Sequence, residues 1–239
     1  MSAKKSPKSA QMNPGAGFRI RLNFSRPSKE ITDQFGQFET PDISDILNRM
    51  YAMNTGIRNL SSNASICGPA CTVKVFPGDN LMVHKVLDVA QPGDIVVIDA
   101  GGSKSNAVLG DLISSKAKHR GIAAFVIDGL IRDLPDVREV GLPVFARGET
   151  PIGPLHRGPG EINFPVSCGG IVVNPGDIIV GDPSGIVVVR QEFASDTLTR
   201  LYDQKAALEP YVASVKKGEF SNEWVDQYLD TTQCIVTKD

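Results

Sequence analysis

The 239-residue chain is predicted to be an α/β protein with a mixed, partly parallel central sheet in a single domain. Three observations predict it. Two short, continuous apolar runs, DIVVIDA at 94–100 and IAAFVID at 122–128, have the length of strands covered on both faces. Stretches with apolar residues at helical spacing lie between such runs. Glycine and proline mark the boundaries, as the short connections of alternating strands and helices require.

Taken in order, residues 1–29 are polar and broken by Pro and Gly, and are expected to form an N-terminal arm, flexible or packed on a neighbour, ahead of a domain over 30–239. In TPDISDILNRM, Thr40 is expected to cap a helix with Pro41 in its first turn, and Ile43, Ile46, Leu47 and Met50 form its apolar stripe. ACTVKVF alternates as a strand does, and NLMVHKVLDVA puts Val83, Val86, Leu87 and Ala90 on one helical face. The segment after Gly110 carries Leu112, Ile113 and Ala117 at helical spacing and ends at Gly121. LPDVREV reads as a short helix closed by Gly141, and PVFA as a further strand.

The Gly- and Pro-rich stretch 147–169 is expected to be a long ordered loop. GIVV, DIIVGD and GIVVVR follow as antiparallel strands joined by NPGD and DPSG turns. A charged helix over 192–217 comes next, with Leu198, Leu201, Tyr202 and Leu208 as its inner face. PGD recurs at Pro77, Pro92 and Pro175. These are read as turns, because Pro presets φ and Gly accepts positive φ, and not as a set of metal carboxylates at Asp79, Asp94 and Asp177.

Composition removes several function classes. A net charge of −2 leaves no electrostatic footprint for nucleic acid or an anionic membrane. No apolar run reaches the roughly 18 residues needed to span a bilayer. The basic, Ser-rich N-terminus lacks the apolar stretch of a secretory signal, so a cytoplasmic location is expected. Cys67 and Cys71, in CGPAC, have the wrong spacing for a CxxC redox pair, and no second Cys pair or spaced His pair makes a zinc site. With Cys168 and Cys234 they are read as small apolar residues.

One segment holds chemistry that composition does not explain. In GDLISSKAKHRGIAAFVIDGLIRD, Asp111 is followed after 20 residues (132 − 111 − 1) by Arg132 and Asp133. Gly110 and Asp111 lie where a loop enters a helix, whose free N–H groups can hold a carboxylate. Arg132 and Asp133 lie past the strand IAAFVID, and ligands of open α/β sheets gather beyond the carboxyl ends of strands. A helix and a return strand would bring both ends to one rim. There the guanidinium can stabilise a developing oxyanion and Asp133 can hold a hard divalent cation, Mg²⁺ or Mn²⁺, a set suited to a 2-oxo acid. The plainer alternative is an Asp cap and a surface ion pair. Among the other polar residues, His84 is read as packed or exposed within a helix. His119 is placed favourably at a helix end. His156 sits in the long loop, where it could reach a substrate, and Trp224 is an interface or core anchor.

GD, 20 residues and RD, together with TPDISDILNRM, QPGDIVVIDAGG, GLPVFARG and NPGDIIVGDPSGIVVV, resemble the RraA-like family over about 38–217. The resemblance implies a swivelling α/β/α sandwich. It also implies the pyruvate-releasing class II aldolases acting on 4-hydroxy-4-methyl-2-oxoglutarate or 4-carboxy-4-hydroxy-2-oxoadipate, with accompanying oxaloacetate decarboxylation. Carried over by position, Gly110, Asp111, Leu112 and Ile113 bind substrate and Arg132 holds the enolate. Asp133 is the metal ligand, and Asp111 orders a water. Glu219 is the positional match for a glutamate that a neighbouring subunit contributes, which implies a homotrimer or homohexamer. The family also contains protein regulators of a ribonuclease, the alternative function. A methyltransferase label found in the family has no glycine-rich nucleotide loop here to support it.

Overall fold

The structure, a computed structural model, describes residues 11–237. β1 (Phe18–Ile20) precedes α1 (Lys29–Phe35) and α2 (Thr40–Ile46), followed by β2 (Arg58–Asn59), β3 (Ile66–Val75) and α3 (Leu81–Val86). Next come β4 (Ile95–Asp99), β5 (Ala107–Leu109), α4 (Asp111–His119), β6 (Ala124–Asp128) and β7 (Leu130–Ile131). They lead to α5 (Leu134–Val140), β8 (Val144–Ala146), β9 (Gly148–Glu149), β10 (Gly160–Ile162) and β11 (Val166–Cys168). β12 (Ile171–Val173), β13 (Ile178–Asp182), β14 (Gly185–Val189), α6 (Ala194–Lys216) and α7 (Glu223–Thr231) complete the order. The chain divides into two compact units, one ending at Leu198 and one from Thr199 onward. All the sheets belong to the first.

The main sheet runs β1-β10-β3-β4-β6-β8-β2, and β3 also carries the β13–β14 hairpin. β3, β4, β6 and β8 are parallel, whereas β10 and β13 run antiparallel to β3, so the sheet is mixed as expected. The sequence reason lies in IVVID and AFVID, which are buried at every position. Alternate side chains of a strand face opposite ways. Val96 and Ile98 join Val83, Val86, Ile113 and Val137 from α3, α4 and α5 in one core. Ile95 and Val97 join Val166, Cys168, Ile179 and Ile186 from β11, β13 and β14 in the other. Each such aliphatic side chain contributes about 1.5–3 kcal/mol by leaving water.

Several expectations change in detail. Thr40 does not cap α2; it is the first helical residue, and its N–H and hydroxyl both donate to the Asp182 carboxylate of β13, at 2.8 Å each. A distant carboxylate thus does what a local cap would do. Met50 falls off the apolar stripe and is exposed, because the helix stops at Ile46 and Asn48 and Arg49 adopt positive φ. The stretch 147–169 is not simply a loop, since it contains β9, β10 and β11. β12 pairs with β11 and not with the following hairpin. In α6, Leu198 and Leu201 are buried while Tyr202 and Leu208 are exposed. Periodicity identifies a shared face without saying how far along it is covered.

The segment expected as an arm is tied to the sheet over Gly17–Arg26. β1 pairs in parallel with β10, and Arg26 makes a two-pronged ion pair with buried Asp94 at 2.8 and 2.7 Å. Residues 1–10 lie outside the described residues. Each PGD is a turn: the glycines have φ of +87°, +89° and +87°, and Asp79, Asp94 and Asp177 each accept a nearby backbone N–H.

Candidate active site

Two parallel strands build the rim. β5 pairs with β7, with Leu109 opposite Ile131, and Arg132 N–H donates to Leu109 O at 3.0 Å. β5 runs into Gly110 and α4, and β7 runs into Arg132, Asp133 and α5, so the two ends of the 20-residue spacing become neighbours. The return strand β6 does not lead there directly: after Gly129 the chain enters a separate small sheet, β5-β7-β9. That small sheet was not legible from the apolar runs.

Gly110 precedes α4 without a side-chain cap. Ser114 N–H is the first amide to bond back, to Gly110 O at 3.1 Å, and those of Asp111, Leu112 and Ile113 have no acceptor among the described residues. A helix start of this kind carries about half a positive charge and open donors. Of the residues read at helical spacing, Leu112 is 68% exposed, while Ile113 and Ala117 pack into the core.

Asp133 is the N-cap of α5, yet its side chain makes no capping hydrogen bond, and the residue sits in left-handed backbone at φ 56°, ψ 39°. Left-handed backbone costs a residue with a Cβ about 1–2 kcal/mol. The carboxylate lies against Gly110 rather than capping its own helix. A Cβ on Gly110 would lie 2.4 Å from Asp133 Oδ2 and 3.1 Å from Arg132 Cγ. Any larger residue at this position would have to push the Asp133 carboxylate aside. Asp133 Oδ2 also lies 3.1 Å from Arg132 Nε, and Arg132 Nη1 would be 2.8 Å from a Cβ at Gly153.

Gly110, Asp111, Leu112, Ile113 and Arg132 line one cavity of about 270 Å³. Asn80, His84 and His156 line it too. Sequence reasoning missed Asn80, and it read His84 as a packed or exposed residue. His84 is held below the ordinary histidine pKa by burial first, then by His156 and Lys116. Only the long-range pairing of the 150–157 segment with the β3–α3 turn could have revealed this group.

A divalent cation fits the donor set only as a sparsely ligated ion. No three His, Cys, Asp or Glu side chains form a metal-binding group among the described residues. The strained, uncapped Asp133 carboxylate is the available donor, and Mg²⁺ characteristically accepts few protein ligands and keeps waters. Glu219 lies in the second unit, exposed just past α6, its N–H bonded to Ser214 O at 2.9 Å. Burial pushes the Cys67 and Cys71 thiols up to about 12 and Cys168 far above the ordinary range, which disfavours their thiolates, whereas Cys234, expected as a small apolar residue, is exposed. Among the described residues, no helix is long and apolar enough to cross a membrane.

Comparison with known proteins agrees with this architecture. A family model described as RraA-like, Aldolase/RraA, matches residues 40–188. A protein of Halalkalibacterium halodurans named "Putative 4-hydroxy-4-methyl-2-oxoglutarate aldolase" is 40% identical over 182 residues, covering 76% of this chain and 87% of the relative. The crystal structure of Streptomyces coelicolor RraAS2, described as an unusual member of the RNase ES inhibitor RraA protein family, superposes with a TM-score of 0.72. It is 30% identical and covers 78% of this chain and 98% of that one. The RNA-processing inhibitor RraA from Thermus thermophilis is 31% identical with a TM-score of 0.59, over 64% of this chain and 92% of its own. The chain belongs to the RraA-like Aldolase/RraA family.

Proposed function

We propose that the protein is a divalent-metal-dependent lyase that cleaves a 4-hydroxy-2-oxo di- or tricarboxylic acid, such as 4-hydroxy-4-methyl-2-oxoglutarate, and releases pyruvate. The observation that carries the reading is that the open α4 N-terminus and Arg132 line one cavity, with the Asp133 carboxylate beside them, 3.1 Å from Arg132 Nε. The aldolase name of the H. halodurans relative supports it.

In this reading, the free amides of Asp111, Leu112 and Ile113 hold the pyruvyl carboxylate. Arg132 donates to the 2-oxo oxygen and carries the negative charge as the C3–C4 bond breaks and the enolate forms. Asp111 orders a water beside the reacting carbons. Mg²⁺ or Mn²⁺, held by Asp133 with water and substrate, would supply Lewis acidity at the 2-oxo group. Oxaloacetate would lose CO₂ through the same enolate, giving the protein decarboxylase activity. A homotrimer or homohexamer would bring Glu219 of a neighbouring copy near the site.

The test is pyruvate formation from oxaloacetate with Mg²⁺, with and without chelator, by wild type and by Arg132→Ala. Loss of one oriented oxyanion donor lowers the rate about 100-fold or more. Equal rates for both proteins, at the background of free Mg²⁺, would remove the decarboxylase. A second reading, a non-catalytic protein-binding regulator of a ribonuclease, draws on the RraA inhibitors of S. coelicolor and T. thermophilis. That role would be indifferent to Arg132→Ala.

A further inference from the structure

The cleavage proposed above needs a group to take the proton from the C4 hydroxyl and another, or the same one, to return a proton to C3. Arginine is always protonated and cannot be the base. An ordinary carboxylate has a pKa of about 4, against about 6.5 for imidazole, and a base works best with a pKa near the working pH. The cavity holds two imidazoles, His84 and His156.

His156 is held in one tautomer. Asn80 is 2% exposed, and its Nδ2 donates to Val108 O at 2.9 Å. A carbonyl only accepts, so this bond fixes the amide and leaves Oδ1 facing His156 Nδ1 at 2.6 Å. Oδ1 also only accepts, so Nδ1 carries the hydrogen. In neutral His156 the lone pair is then on Nε2, which has no hydrogen-bond partner among the described residues.

The placement of the ring is built rather than incidental. Leu155 N–H donates to Gly78 O at 2.7 Å, Asn80 N–H to Leu155 O at 2.9 Å, and Arg157 N–H to buried Asp79 at 2.5 Å. The chain is therefore pinned to the β3–α3 turn on both sides of His156. The His84 ring stands edge-on to it, with centroids 5.5 Å apart.

We propose that His156 Nε2 is the proton-transfer group of the cleavage and that Asn80 is its positioning residue. This rests on the lyase reading and deepens it. Nε2 accepts the C4 hydroxyl proton, and the O–H electron pair forms the product C=O. The C3–C4 bond breaks, with its pair passing into the enolate held by Arg132. The imidazolium then returns the proton from Nε2 to C3, giving pyruvate and neutral His156. Decarboxylation of oxaloacetate needs no hydroxyl proton removed, so CO₂ and the enolate form without this base, and the enolate takes its C3 proton from water.

That difference is the test. Wild type, His156→Ala, His156→Gln, Asn80→Ala and Arg132→Ala are compared with Mg²⁺ in three measurements. These are pyruvate from 4-hydroxy-4-methyl-2-oxoglutarate, pyruvate from oxaloacetate, and deuterium uptake into the pyruvate methyl group by NMR in D₂O. The His156 variants lose aldol turnover and methyl exchange by about 100-fold or more, in kcat and not in KM, and lose far less of their oxaloacetate turnover, which needs no hydroxyl proton removed. Asn80→Ala shifts the same ratio in the same direction by less. Retained decarboxylation also shows that the variants are folded. Parallel loss of aldol cleavage and decarboxylation, or no loss of either, overturns the proposal. If wild type itself yields no pyruvate above free Mg²⁺ from either substrate, and Arg132→Ala matches it, the lyase reading has failed and this inference fails with it.

Discussion

Gly110→Ala tests how the candidate site is assembled. The added Cβ would lie 2.4 Å from Asp133 Oδ2, where an ordinary contact needs about 3.5 Å, so the carboxylate must retreat by about 1 Å. A displacement of that size at a reacting centre costs about 100-fold in rate, equivalent to about 2.7 kcal/mol. The backbone gives no competing explanation, since φ −144° and ψ −157° are extended values that alanine adopts freely. Alanine is a poorer N-cap than glycine, but by less than about 1 kcal/mol. The assay is pyruvate formation from oxaloacetate across a Mg²⁺ titration, beside a thermal melt. A large fall in kcat/KM, a weaker Mg²⁺ dependence curve and a nearly unchanged melt are expected. Wild-type kinetics and an unchanged Mg²⁺ requirement would refute the claim that Gly110 makes room for the metal-binding carboxylate.

Asp133→Gly removes the proposed metal ligand and relieves the left-handed backbone, so activity should vanish while stability rises by about 1 kcal/mol, or about 2–4 °C in Tm. A lower Tm would show that the strain is not there. Arg26→Ala strands Asp94, whose side chain is 1% exposed, and should cost about 3 kcal/mol in urea unfolding. A loss under about 0.5 kcal/mol would mean that this ion pair does not hold residues 17–26 to the sheet. His84 has a folded-state pKa below its ordinary value, so the unfolded chain binds more protons once pH drops below about 6.5, and stability falls with acid there. Urea midpoints at about pH 7.5 and about pH 5.5 should differ less in His84→Gln than in wild type. An equal pH dependence in both proteins would assign the acid sensitivity to other groups.

The sheet was legible because IVVID and AFVID announce strands buried on both faces, a property of composition and length alone. The helix after Gly110 and the one closed by Gly141 were legible for a similar local reason. Glycine ends both, with φ of +76° at Gly121 and +72° at Gly141. What was not legible depends on pairing across long separations. The two- and three-residue strands β5, β7 and β9 are too short to carry a pattern, yet they set Arg132 beside Leu109. The cap on α2 comes from Asp182, 142 residues away, and no window of sequence contains both partners. Asp133 was visible beside Arg132, but its left-handed backbone and the side chain's failure to cap α5 were not. Asn80 and His156 are 76 residues apart and meet only because the 155–157 backbone folds onto the β3–α3 turn. The polar spacing of Asp111, Arg132 and Asp133 was visible, but which walls completed the cavity at Asp111 and Arg132 was not.

The most direct measurement is pyruvate release from 4-hydroxy-4-methyl-2-oxoglutarate by the purified protein, with Mg²⁺ and then with excess chelator. Turnover well above the no-enzyme rate that chelator abolishes and Mg²⁺ restores is the result expected of the lyase. Release no faster than free Mg²⁺ produces alone, with a folded protein at saturating substrate, would contradict it.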